Sequence, residues 1–158
     1  MGWMRIRHSP IPVLIIPAMD HPQHSRDKLV EVLRAHGINP THQRIEIAYA
    51  LYSRKEHLSA DQVLAIVNER HPETSRATVY NTLNLFVQQK LIRDVIVDPN
   101  RVFYDPNTSP HYHIYDVETG GLTDIDAAAV RIEGLPELPG MTTEGMDIII
   151  RVRRIEKA

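Results

Sequence analysis

Between Ser25 and Tyr104 the chain runs through four apolar-periodic segments and then two β-rich runs split by Asp98-Pro99-Asn100. That order constrains the fold more than any other feature. The first segment places Leu29, Val32 and Leu33 on one helical face, with Ser25 as N-cap and Gly37 as C-cap. The second opens on Thr41 and carries Ile45, Ala48, Leu51 and Tyr52 at helical spacing. Ser59 caps the third, which turns Val63, Ile66 and Val67 inward before Pro72 ends it. Thr74 or Ser75 opens the fourth, with Val79, Leu83 and Phe86 as its buried stripe. The runs Ile92–Val97 and Val102–Tyr104 read as a hairpin across a turn sequence.

Short helices, then a helix followed at once by a two-stranded hairpin, are the layout of a winged helix-turn-helix, with the fourth helix as reader and 92–104 as wing. Ser75, Arg76, Thr78, Tyr80, Asn81 and Thr82 are expected on the polar side of that helix. Arginine reads guanine or a phosphate, asparagine reads adenine, and tyrosine stacks or bonds a phosphate. The plainer roles are capping for Ser75 and Thr78 and packing against the wing for Tyr80. A helical bundle with a hairpin that binds nothing is the alternative.

After the linker PNTSP, HYHIYDVETGGLTDID predicts a strand, a Gly-Gly turn and a second strand. Ala127–Arg131 suits one or two helical turns, GLPELPGMTTEG a loop, and MDIIIRVRRI a last strand. So small a set makes too little core to stand alone and is expected to complete itself with a second copy. The fold class is therefore α+β. Residues 1–24 are expected to form a flexible tail, 25–104 a winged-helix DNA-binding domain, 105–110 a hinge, and 111–158 a small dimerisation domain. A two-fold dimer would present two readers to a palindromic double-stranded DNA site; pairing of dimers into tetramers stays open.

Charge follows the same division. Residues 1–104 hold 13 Lys/Arg against 10 Asp/Glu, and residues 105–158 hold 5 against 10. A basic half joined to an acidic one fits a polyanion binder coupled to a cation- or protein-binding module, with ordinary surface variation as the alternative. No cysteine is present, which excludes disulfides, thiol nucleophiles and Cys-ligated zinc. The apolar run Ile11–Met19 is cut by Pro12 and Pro17 and is too short to span a bilayer. No membrane association is expected, and a cytoplasmic location is. Met19 is a candidate native start, and His8, His21 and His24 in the tail are expected to face solvent.

Nine histidines call for an explanation. His111 and His113 stand two apart on a predicted strand, so both imidazoles point to one face. Asp105 precedes them, and Asp124 lies on the strand expected to pair with theirs. Two imidazoles and two carboxylates make a mixed donor set suited to Fe(II), Mn(II) or Zn(II). The other histidines carry plainer expectations: His36 near a helix C-terminus, His71 ending a helix before Pro72, and His42 near a helix N-terminus, within reach of a phosphate.

The blocks HLSADQVL, SRATVYNTLNLF, VFYD, HYHIYD and GGLTDID resemble the ferric uptake regulator family of metal-sensing repressors, over roughly residues 25–126. Within it the chain most resembles the iron response regulator branch of the alphaproteobacteria, which shares VYNTLN, lacks the family's cysteines and carries a His-rich motif where His111-Tyr112-His113 stands here. The resemblance implies an N-terminal winged helix, a C-terminal α+β dimerisation domain and a sensing site at their junction. Carried over residue by residue, the metal ligands fall on His57, Asp105, His111, His113 and Asp124. Three His and two Asp also match the family's peroxide sensors. The implied cofactor is one divalent metal per subunit, Fe or Mn first and Zn as a further option. Haem is a variant ligand, through an exposed His111 and His113.

Departures narrow the resemblance. The family's structural zinc is held by CxxC pairs; the first pair falls on Asp116 and Thr119 and the second has no counterpart, so that zinc is expected to be absent. An accessory site falls on Pro110, Tyr112, Arg131 and about Met146, and is expected to be lost. Basic positions before and in the second helix fall on Asn39 and His42, while Arg44 remains as a DNA contact. No Cys-Pro haem motif exists. The implied function is a dimeric, metal-responsive transcriptional regulator of iron and haem homeostasis on an A/T-rich inverted repeat. The alternatives are a peroxide-sensing repressor using Fe(II) at the same site, or a manganese or zinc sensor. An enzyme is not expected: five ligands would fill the ion's sphere, and no nucleophile motif is present.

Overall fold

The computed structural model describes residues 25–155. The tail expected over 1–24, with His8, His21 and His24, lies outside the described residues. The elements are α1 (Arg26–Ala35), α2 (His42–Tyr52), α3 (Ala60–Asn68), α4 (Arg76–Gln88), β1 (Arg93–Asp98), β2 (Arg101–Asp105), β3 (His111–Asp116), β4 (Leu122–Asp126), a 3-10 turn (Ala127–Ala129) and β5 (Ile149–Val152).

The four helices begin where the sequence predicts. Ser25, Thr41, Ser59 and Ser75 each accept a backbone N–H of the first turn, and Ser59 forms a full capping box with Gln62. α1 ends in a Schellman motif: Gly37 sits at φ +70°, its N–H bonds Arg34 O, and Ile38 N–H bonds Leu33 O. α4 ends the same way, with Lys90 at φ +56°. Leu91 N–H there bonds Phe86 O at 2.9 Å.

Leu29, Leu33, Ile47, Leu51, Val63, Val79, Leu83 and Phe86, all but closed to solvent, form the core of the helical half. Thr82, expected on the polar side of α4, is buried. It lies one turn beyond Val79 and one before Phe86, on the stripe that faces the core. The exposed side of α4 presents Arg76, Tyr80, Asn81 and Asn84.

β1 and β2 pair antiparallel as the wing, with an irregularity between Ile96 and Asp98. The second sheet has the order β4-β3-β5; β3 pairs antiparallel with β4 and parallel with β5. The last strand is shorter than the alternation of MDIIIRVRRI suggests, and extended irregular chain leads to it from Val130. A second core joins the wing to this sheet: Val95, Val97, Phe103 and Tyr115 pack together, with Val117, Leu122 and Ile149 against them. Arg101 bonds the Tyr115 hydroxyl, and Arg151 bonds Val97 O, across the same boundary.

Candidate metal centre

Four stretches of chain deliver five side chains to one point. His57 stands in the loop just before α3, Asp105 is the last residue of β2, His111 and His113 lie on β3, and Asp124 lies on β4. One nitrogen or carboxylate oxygen from each lies within 4.8 Å of all the others.

Each stretch has a local reason to arrive there. An isolated antiparallel bridge joins Leu58 to Tyr104, with Tyr104 N–H bonding Leu58 O at 2.8 Å. His57 and Asp105 are the sequence neighbours of that pair, so one backbone bond aligns both. On the sheet, His113 is the cross-strand partner of Asp124. The turn that sets this register is built by Asp116, whose Oδ1 accepts from Glu118 N and Thr119 N, and by Gly120 at φ +73°. Asp116 and Thr119, where the family's first CxxC pair falls, are thus turn residues. The 105–110 segment is pinned by its own side chains: Asp105 Oδ1 accepts Asn107 N–H at 2.7 Å, and Asn107 Oδ1 accepts Ser109 N–H at 3.1 Å.

The Asp105 oxygen left over, Oδ2, lies 2.8 Å from His111 Nε2, 3.4 Å from His113 Nε2 and 3.6 Å from His57 Nε2. Asp124 Oδ1 lies 2.9 Å from His57 Nε2, 3.4 Å from His113 Nε2 and 3.5 Å from His111 Nε2. His111 and His113 bring their Nε2 atoms within 3.1 Å of each other. His111 Nδ1 faces the Ser109 carbonyl at 2.7 Å. A carbonyl only accepts, so Nδ1 carries a proton, and Nε2, the nitrogen facing the carboxylates, is the one a cation would take, the arrangement of a metal-ligating histidine.

The donor set fits a cation. His57 Nε2 and Asp124 Oδ1 are buried and close, yet both lack a hydrogen bond, as does His57 Nδ1. Buried polar atoms normally find partners, so close approach without a well-formed hydrogen bond fits a place that an ion completes. Three imidazoles and two carboxylates suit Fe, Mn or Zn.

The electrostatics agree. Burial by itself would lower the pKa of His57, but Asp105 and Asp124 outweigh it and push it up to about 9. Burial would raise Asp105, but His111, His113 and His57 hold it well below the carboxylate range. Burial keeps His113 low, whereas Asp105 and the Ser109 carbonyl overcome burial to raise His111. Sequence reasoning missed Arg93: its guanidinium bonds His111 O at 3.3 Å and lies 3.6 Å from Asp105 Oδ2. Nothing in its place in the sequence, at the start of β1, signals that role.

One expectation fails here. His111 and His113 are 3% and 2% exposed, not the open pair that haem ligation was expected to use. They face the cluster while Tyr112 takes the other side of β3. Of the accessory-site positions, Pro110, Tyr112 and Met146 line one groove, while Arg131 pairs with Glu133 at 2.8 Å in solvent.

Five of the expected DNA contacts lie on the cap and first two turns of α4, and the sixth, Arg44, lies on α2. Arg76 is held by Asp61 at 2.7 Å, both exposed. Tyr80 stands 38% exposed and borders, with Asn100, Arg101 and Tyr104, a groove between α4 and the wing. Asn81 is open. Ser75 and Thr78 share a hydroxyl hydrogen bond of 2.9 Å within the helix cap. Arg44 donates to Asn39 O at 3.0 Å.

Known proteins resemble the chain along its length. The profile of the Ferric uptake regulator family matches residues 35–145. A peroxide-responsive repressor, PerR, of Staphylococcus epidermidis is 30% identical over 101 residues, covering 64% of this chain and 67% of that protein. The ferric uptake regulator of Pseudomonas aeruginosa, solved with manganese, superposes with a TM-score of 0.61 at 24% identity, over 80% of this chain and 97% of that one. The Campylobacter jejuni peroxide stress regulator does so with a TM-score of 0.60 at 23% identity, over 84% and 97%. The match of the family profile over most of the chain, on a fold shared with these regulators, makes the protein a member of the ferric uptake regulator family of metal-responsive transcription regulators.

Proposed function

We propose that this protein is a dimeric, metal-responsive regulator of iron and haem homeostasis that binds an A/T-rich inverted repeat. His57, Asp105, His111, His113 and Asp124 would hold one divalent cation per subunit, iron(II) or manganese(II) before zinc(II). The observation that carries the reading is the meeting of five donor atoms within 4.8 Å from four separate stretches of chain. When bound, the cation supplies a cross-link between the loop before α3, the wing and the β3–β4 pair. On this reading residues 25–104 are the reader, 105–110 the pivot and 111–158 the pairing half. Fixing one against the other sets the spacing of two α4 helices in a dimer, and a coupling of about 1–3 kcal/mol changes DNA affinity roughly 5- to 150-fold.

A second copy is the partner the pairing half calls for. β5 is an edge strand, and Leu135, Leu138, Met141, Met146, Ile150 and Val152 leave apolar surface open. The place nearest the iron response regulator branch rests on VYNTLN, the missing cysteines and His111-Tyr112-His113. Because both histidines are buried, haem would have to open the cluster, so haem and cation compete. The test is metal analysis of untagged protein together with binding of a labelled A/T-rich inverted repeat, with and without Fe(II) or Mn(II), and a haem titration. One ion per subunit and a metal-dependent affinity support the reading; no bound ion, or affinity indifferent to metal, overturns it.

The similarity to peroxide-responsive repressors and the three-His, two-Asp set favour a second reading, peroxide sensing with Fe(II). Hydrogen peroxide would give one oxygen atom to a ring carbon of His57 or His111 and leave as water. Mass spectrometry decides: a gain of one oxygen on those residues, only with iron present, selects it.

A further inference from the structure

A second group of donors lies in the helical half and has no part in the reading above. His42 is the first residue of α2, Glu46 stands one turn later on the same face, and His71 comes from the connection between α3 and α4. His42 Nε2 lies 3.4 Å from His71 Nδ1, with the rings nearly perpendicular at 84°. One donor atom from each of the three lies within 4.8 Å of the others. Two nitrogens on a tetrahedral zinc, with arms of about 2.0–2.1 Å, are about 3.3 Å apart, close to the spacing found here.

The surroundings prepare these groups. His71 is fixed by its backbone: its N–H bonds Val67 O at 2.9 Å, and its carbonyl accepts Thr74 N–H at 3.0 Å. Glu46 is buried, and Arg26 grips both its oxygens, Nε to Oε1 at 2.5 Å and Nη2 to Oε2 at 2.9 Å. Oε2 also faces His71 Nε2 at 3.6 Å. Arg26 is itself stacked on the Tyr49 ring, 4.0 Å from its centroid. Arg26 therefore keeps the carboxylate ionised and orients it, as outer partners of metal ligands do, while Oε2, which accepts one bond from Arg26, keeps a second lone pair for an ion. His42 is open to solvent, which gives an ion a way in.

We propose that His42, Glu46 and His71 form a second cation site, for an imidazole-seeking divalent ion such as zinc(II), nickel(II) or cobalt(II). An ion there would tie the first turn of α2 to the connection that leads into α4. The site is independent of the five-residue cluster, so each can fail without the other.

The experiment is calorimetric titration of the full chain with zinc(II) alone, near neutral pH. Wild type is expected to take two ions per subunit; H42A/H71A and H111A/H113A each take one, by losing different sites. In the H111A/H113A background, adding H71A should weaken the remaining ion by more than about tenfold. NMR of the histidine ring protons should show His42 and His71 shifting with zinc. The proposal is overturned if H42A/H71A binds zinc as wild type does, or if those ring signals stay put. Should H111A/H113A not fold, wild type against H42A/H71A still decides, two ions against one.

Discussion

His113 and Asp124 face each other across the β3–β4 ladder, with Nε2 and Oδ1 3.4 Å apart. A single strand register thus sets two of the five proposed ligands against each other, and a slip of β4 by one residue would send Asp124 to the other side of the sheet. Asp124→Asn keeps the shape and removes the charge. It is expected to weaken manganese(II) binding by more than about tenfold, since even outer-sphere changes cost 10–100-fold, with the far-UV spectrum unchanged. Calorimetry checks it; unaltered affinity removes Asp124 from the site.

Protons compete with the cation for His57. Its pKa in the metal-free fold is raised to about 9, burial being outweighed by Asp105 and Asp124. At neutral pH the ring holds a proton that must leave before the nitrogen can ligate. Apparent metal affinity should therefore rise with pH, by up to about tenfold per unit for one released proton, and level off above about 9. A titration in two buffers of different ionisation heat counts the proton released; no release and a flat profile refute the assignment of His57.

The Arg76–Asp61 pair is exposed on both sides, and such pairs are worth about 0–1 kcal/mol, so a DNA phosphate can take Arg76 at little cost. Arg76→Ala should lower affinity for the inverted repeat and cut the salt slope by about 1. Tyr80→Ala should abolish specific binding. Fluorescence anisotropy at several salt concentrations reads both; normal binding by the two variants would remove α4 as the reader.

Leu83 is closed to solvent in the helical core. Leu83→Ala should cost about 2–5 kcal/mol, a large part of the roughly 5–15 kcal/mol that holds a domain together. Urea unfolding measures it; a loss under about 1 kcal/mol would mean that this face of α4 is not packed as described.

The helices were legible because each rule that places them is local: a hydroxyl cap, an apolar stripe, a glycine that accepts positive φ. Ser25, Thr41, Ser59 and Ser75 all cap as expected. The pairing of β3 with β4 followed from the turn between them, and with it the approach of Asp124 to His113. His57 was reachable only by resemblance, since its arrival depends on the distant Leu58–Tyr104 bridge. Thr82 was misplaced because its polarity says nothing of which stripe it occupies. His42, Glu46 and His71 went unrecognised as a group because they meet through the packing of α2 against the end of α3, which no spacing in the sequence encodes. The short, parallel β5 is likewise set by a partner strand more than thirty residues earlier.

The bond from Tyr104 N–H to Leu58 O has one more result. It splices a reader loop to the wing at the very residues flanking His57 and Asp105. Loosening this splice would shift His57 and Asp105, two of the five proposed ligands, at once, so a disturbance of the wing would be felt at the cluster.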